Sequence, residues 1–182
     1  VLDDNKCFDV TTATVTEPSV VTATASQTAP VSCIGGSDGT TTAIGSGGNG
    51  ATYTYNWDTA PIQNTSIATG LSSGILYSVT VTDVSGVCND ITTITIAEPA
   101  TSVTASIVSS TSVTCNGGSD GTATASGAGG NGAPFTYLWS NGDGAATASN
   151  LSSGITYSVT VTDVSGVCND ITTITIAEPA TS

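Results

Sequence analysis

Histidine and methionine are both absent from this chain of 182 residues, and Lys6 is its single basic residue, set against 14 acidic groups for a net charge of −13. Without histidine, a nucleophilic serine has no ordinary general base, and a scattered cysteine has no companion for zinc. So negative a surface repels nucleic acid and anionic membrane, which removes both as partners. Aromatics make up only 5% and charged residues only 8%. The chain therefore lacks both a supply of large core side chains and the charge density that keeps a disordered chain open. No stretch approaches the roughly 18 uninterrupted apolar residues of a membrane helix, so no insertion into a bilayer is expected. No signal peptide is visible, and the chain starts at Val1 rather than Met, which predicts a processed or excerpted segment.

What the chain does have is Val, Ile and Thr, within an apolar share of 38% and a mean hydropathy of +0.21. These branched residues favour strands over helices. It also repeats itself. The 22 residues SVTVTDVSGVCNDITTITIAEP, from Ser78 to Pro99, return unchanged from Ser158 to Pro179. Glu-Pro marks stand at 17–18, 98–99 and 178–179, separated by 98 − 17 = 81 and 178 − 98 = 80 residues. Between marks the landmarks keep their order. Cys33, Gly35-Gly36-Ser37-Asp38-Gly39, Trp57, Tyr77, Asp83 and Cys88 in one unit answer to Cys115, Gly117-Gly118-Ser119-Asp120-Gly121, Trp139, Tyr157, Asp163 and Cys168 in the next. An enzyme gains nothing from copying half its walls, whereas a chain selected for length does. The division expected is repeat 1 over residues 19–99 and repeat 2 over 100–182. Residues 1–18, which line up Cys7 with Cys88 and Pro18 with Pro99, are then the closing strand or strands of a preceding repeat, or a strand donated to a neighbour.

Within each repeat the apolar period is two. Tyr53, Tyr55 and Trp57 share one strand face, as do Phe135, Tyr137 and Trp139, and Tyr77, Val79 and Val81 alternate with outward Ser78, Thr80 and Thr82. Gly, Ser, Asn and Asp punctuate these runs. About seven short strands per repeat and no helical stretch predict an all-β chain of antiparallel sandwiches. Proline at each joint and short linkers such as EPATS predict repeats set end to end in a semi-rigid rod.

Two motifs suggest chemistry that the chain does not support. GLSSG at Gly70–Gly74 has the spacing of a nucleophile elbow but no histidine to serve it, and its copy begins with Asn150. GSGGNG (Gly45–Gly50) and GAGGNG (Gly127–Gly132) fit a dinucleotide fingerprint, yet strands lie on both sides where the fingerprint needs a helix, so both are expected to be hairpin loops. Asp38, Asp83, Asp120 and Asp163, with Asp90 and Asp170 nearby, are weak candidates for calcium at sandwich ends. Carboxylates that accept turn N–H groups account for them as well. The five cysteines divide as two per full repeat plus Cys7. Spacings of 88 − 33 = 55 and 168 − 115 = 53 at matching landmarks predict the pairs Cys33–Cys88 and Cys115–Cys168, with Cys7 bound to a preceding repeat. Each such closure is worth roughly 4 kcal/mol through the unfolded chain, and disulfides place the protein in an oxidising, extracellular setting.

Taken together, SVTCNGGSDGTATASGAGGNGAPFTYLWSNG, LSSGITYSVTVTDVSGVC and ITTITIAEP resemble the SprB-type repeats of surface adhesins in Bacteroidetes. The chain departs from that pattern in one extra residue before Tyr77 and Tyr157, and in Val87 and Val167. The resemblance implies immunoglobulin-like (Ig-like) sandwiches in a secreted cell-surface filament used in adhesion or gliding. It also implies O-glycosylation at Thr59 within Asp58-Thr59-Ala60. Asn64 and Asn150 open N-x-[ST] sequons. The function expected is thus a non-catalytic structural repeat of an extracellular adhesin or filament, partnered by copies of itself, adjacent repeats or surface glycans. The alternative is a glycan- or calcium-binding module, and no other cofactor is called for.

Overall fold

The computed structural model describes residues 10–50 and 52–179. Among them run twelve strands and no helix. Repeat 1 contains β1 (Ser19–Ala29), β2 (Gly39–Gly48), β3 (Tyr53–Trp57), β4 (Ile67–Leu71), β5 (Leu76–Asp83) and β6 (Asn89–Thr95). Repeat 2 contains β7 (Thr104–Thr111), β8 (Gly121–Ala128), β9 (Thr136–Trp139), β10 (Thr147–Leu151), β11 (Thr156–Thr162) and β12 (Asn169–Thr175). Each repeat is a pair of three-stranded antiparallel sheets. In the first, β2 lies between β1 and β4, facing a sheet with β5 between β3 and β6; in the second, β8 lies between β7 and β10, and β11 between β9 and β12.

The core explains how a chain poor in aromatics folds. The β3-β5-β6 sheet contributes the bulk, with Trp57, Val79 and Val81 fully buried. The opposing β2 answers with a face of Gly39, Thr41, Ala43 and Gly45. A Cβ on Gly39 would stand 2.5 Å from Ile96, and one on Gly45 2.7 Å from Tyr53 and Val81. Large side chains on one sheet thus meet near-bare backbone on the other, which lets a few aromatics fill the sandwich. Thr41, also fully buried, donates its hydroxyl to the Ser26 carbonyl at 2.8 Å, so its polarity is satisfied.

Three expectations need correction. Among the described residues each repeat has six strands rather than about seven. The outer edge of β4, where a further strand would pair, is met by a side chain: the Gln63 amide donates to the Thr69 carbonyl and accepts from the Thr69 N–H, both at 2.9 Å. In repeat 2 Asn141 and Asp143 meet Ser149 in the same way. With that edge occupied, the stretch 58–66 stays a loop, which includes the cis bond Ala60–Pro61. Second, GSGGNG and GAGGNG are not hairpin loops. Gly45–Gly48 extend β2, and the chain then crosses to β3 in the other sheet; Gly127 likewise sits within β8, ahead of the crossing to β9. Third, the cysteines are not joined within repeats, for reasons taken up below. Of the segment 1–18, residues 1–9 and Cys7 with them lie outside the described residues, and 10–18 are exposed and form no strand.

Candidate functional site

The place where chemistry-bearing residues converge is the joint between the repeats. Each repeat has two ends. In repeat 1 the far end holds the β1–β2 connection, the β4–β5 turn and the exit of β6. The near end holds the start of β1, the β2–β3 crossing and the β5–β6 hairpin. Cys33 lies in the β1–β2 connection, at the far end. Cys88 closes the β5–β6 hairpin, at the near end. Between them runs the length of β6, seven residues or about 24 Å. A disulfide needs Cα atoms within about 7 Å. The expected pairs Cys33–Cys88 and Cys115–Cys168 therefore do not form. Instead Cys33 is bonded to Cys168 across the joint, with a Cα–Cα distance of 5.5 Å and 135 residues of sequence between them. Cys88 and Cys115 are free thiols.

Glu98 positions the Cys33 loop. Its carboxylate accepts the Gly35 N–H at 2.9 Å and the Ser73 hydroxyl at 2.7 Å, clipping together the β6 exit, the loop and the β4–β5 turn. These bonds, the Gly35 N–H first, hold Glu98 below the ordinary carboxylate range. Asp38 closes the other side of the loop by accepting the Ser32 hydroxyl and the Ser32 N–H, and the same two bonds depress its pKa. In repeat 2, Glu178 and Asp120 hold the Cys115 loop through Gly117, Ser153 and Thr114. The recurring Glu-Pro mark is thus a clip as well as a linker.

On the opposite side stands the β11–β12 hairpin. Asp163 is 2% exposed and accepts the Asn131 N–H at 2.7 Å, the Asn131 amide at 3.1 Å, and both the N–H and hydroxyl of Ser165. Burial pushes its pKa up, but these donors outweigh it and the net shift is downward. The Asn131 amide then spends its second proton across the joint, on the Ser32 carbonyl at 2.6 Å. The Cys168 sulfur lies against that same oxygen but, being disulfide-bonded, has no proton to donate to it. Pro99, Val103, Gly130 and Val167 line the remaining cleft of about 300 Å³.

The verbatim repeat supplies an internal control. Cys88 and Cys168 occupy the same 22-residue sequence, yet Cys168 is buried at 7% exposure while Cys88 is partly open. Val87 is 78% exposed and its counterpart Val167 59%. At the joint Cys33 and Ile34 of the neighbouring repeat lie against the Cys168 hairpin.

The calcium candidates are not gathered together. Asp38 and Asp120 lie at the far ends, Asp83 and Asp163 at the near ends, and every one is engaged by N–H or O–H donors. Among the described residues no three Cys, Asp or Glu side chains cluster as a metal set. Asp90 and Asp170, which bracketed the cysteine loops in sequence, accept the N–H of Ala23 and Ala105 and tie the two sheets of each repeat together. Thr59 is 8% exposed and its hydroxyl donates to the Pro61 carbonyl at 2.8 Å, so this glycosylation candidate is closed within its own loop. Asn64 and Asn150 are exposed. Asn150 has φ 55° where its counterpart Gly70 has 68°, so the exchange in GLSSG preserves a left-handed position that only Gly and Asn fill readily. Ser72 sits in the β4–β5 turn with its N–H given to the Tyr77 hydroxyl, and not at a strand-to-helix elbow.

Two three-stranded antiparallel sheets facing one another, repeated with a covalently closed joint, define a tandem array of Ig-like sandwiches. The SprB repeat matches this chain at residues 25–61 and 107–144, once in each unit, in line with the resemblance seen in the sequence. No curated protein matches. Among solved structures, the chain is similar to the three N-terminal domains of the Highly Immunogenic Outer Capsid protein (Hoc) of bacteriophage RB49. The TM-score is 0.51 at 17% identity, over 88% of this chain and 59% of that one. That likeness is one of fold.

Proposed function

We propose that the chain is a non-catalytic length of a linear, extracellular surface filament or adhesin stalk, built by setting SprB repeats end to end. The Cys33–Cys168 bond carries this reading, because a covalent staple across a joint fixes the relative placement of two domains, which an extended rod needs and a set of independent binding modules does not. The bond also calls for an oxidising compartment. The match to SprB repeats and the likeness to domains of an outer capsid protein support display on an exterior. No long apolar helix is present among the described residues, so the reading anchors nothing in a bilayer through this stretch.

An antibody raised against the purified chain should label intact cells and decorate filaments in electron micrographs. Each repeat should add roughly 35–40 Å to their length, from strands of about 27 Å plus loops. Labelling that appears only after lysis would overturn the surface assignment.

A further inference from the structure

Among the described residues, the near end of repeat 1 carries the same hairpin, carboxylate, amide and cleft as the joint, with no partner seated on it. The Cys88 hairpin already has the shape of the bonded one: the Asp83 N–H donates to the Cys88 carbonyl at 2.9 Å and Gly86 to Asp83 at 3.0 Å, as Asp163, Cys168 and Gly166 do in repeat 2 at 3.0 Å. Pro18, Val21 and Val87 line a cleft of about 470 Å³ beside Cys88, the counterpart of the cleft that Cys33 covers at the joint. Asn49, the counterpart of Asn131, gives its N–H and one amide proton to Asp83, and among the described residues its other amide proton has nothing like the Ser32 carbonyl to meet.

The far end of repeat 2 supplies the complement. Cys115 is exposed in a loop held like that of Cys33, with Gly118 N–H on the Cys115 carbonyl at 2.9 Å where Gly36 meets Cys33 at 2.9 Å. Asp120 grips Thr114, whose carbonyl corresponds to that of Ser32.

We propose that the Cys88 end of repeat 1 is a docking site for the Cys115 loop of a second copy of this chain, closed by a Cys115–Cys88 disulfide, so that copies polymerise head to tail. The two surfaces differ, so the contact is heterologous and does not close on itself. Formation proceeds by thiol–disulfide exchange with a small oxidised disulfide such as oxidised glutathione. One protein thiolate displaces one glutathione to give a mixed disulfide. The second protein thiolate then displaces the other, and two reduced glutathiones leave with the two protons. Where further repeats lie on the same polypeptide, the same pairing runs from the first cysteine of one repeat to the hairpin cysteine of the next, favoured by the tether. The inference concerns the repeat ends alone and stands apart from where the filament is displayed.

The test uses two full-length chains, both with Cys7→Ser. One carries Cys88→Ser, leaving Cys115 open, and the other Cys115→Ser, leaving Cys88 open. Peptide mapping first checks that Cys33–Cys168 is intact in each. With oxidised glutathione, each alone should remain monomeric on a non-reducing gel, and an equal mixture should give a covalent dimer containing a Cys115–Cys88 peptide. An excess of mixed over like pairs of about tenfold above the random ratio corresponds to about 1.4 kcal/mol of docking preference. The unaltered chain should form a ladder of multiples of 17.7 kDa that reductant collapses. Like pairs in proportion to chance, or a mixture that forms no dimer, would overturn the proposal.

Discussion

Breaking the staple should cost the folded chain several kcal/mol, and the pattern of variants identifies the bond. A closure over 135 residues restricts the unfolded chain by roughly 5 kcal/mol in the loop-entropy treatment. That is of the order of a whole domain's stability. Magnitude alone does not identify the pairing, since a 55-residue closure gives roughly 4 kcal/mol by the same arithmetic. A pair of double variants does. Cys33→Ser with Cys168→Ser removes the staple, whereas Cys88→Ser with Cys115→Ser touches only free thiols. Were the bonds within repeats, either double variant would break both. In urea, with a slope of roughly 2.5 kcal/mol per molar, the first variant should lose about 2 M in midpoint and the second should match the parent. Midpoints lowered to the same extent in both variants would refute the inter-repeat bond.

Two shorter predictions follow from the near end. Asp83 and Asp163 have depressed pKa values in the fold, so their stabilising bonds are fully present above the ordinary aspartate value near about 3.9 and are lost as pH falls through the lower folded value. An acid titration followed by circular dichroism should show stability declining below about pH 4, and Asp83→Asn with Asp163→Asn should flatten that limb. Gly47→Ala should destabilise repeat 1 by at least about 1–3 kcal/mol in thermal melts. The new Cβ would stand 2.0 Å from the Val20 carbonyl oxygen, at φ 80°.

The alternation of Tyr53, Tyr55 and Trp57, and of Tyr77, Val79 and Val81, was legible because inward positions on a half-buried strand must be apolar whatever they pack against. The missing seventh strand was not, since a side-chain amide from Gln63 satisfies an edge without leaving a periodic trace. The GSGGNG error has a similar source: glycine reads as a turn, but Gly39 and Gly45 are glycine because Ile96, just past β6, and Tyr53 and Val81 of the facing sheet leave no room for a Cβ. The cysteine pairing was available in principle. Cys33 lies one strand after the Glu17-Pro18 mark, and Cys88 one strand before Glu98-Pro99. The two therefore point to opposite joints. Counting residues between matching landmarks concealed what counting strand directions would have shown.

The same strand directions determine what the protein does under tension. If the chain is pulled by its ends, force enters repeat 1 along β1, reaches Cys33, crosses the disulfide to Cys168 and leaves along β12. Everything from residue 34 to 167 lies inside the closed loop and off this path. Among the described residues only 10–33 and 168–179 can extend while the bond stands, which is (33 − 10) + (179 − 168) = 34 peptide steps or about 120 Å. Reduction frees a further 135 steps, about 490 Å at roughly 3.6 Å each. Single-molecule force extension on the Cys88→Ser, Cys115→Ser chain should therefore show short contour gains when oxidised. The additional length should be released only after a reducing agent is admitted. Bonds within repeats cannot form in this variant and would leave the contour length the same before and after reduction. An equal contour length before and after reduction would refute the inter-repeat bond. In the expected case the joint, already stiffened by its proline and short linker, is where the chain is covalently doubled.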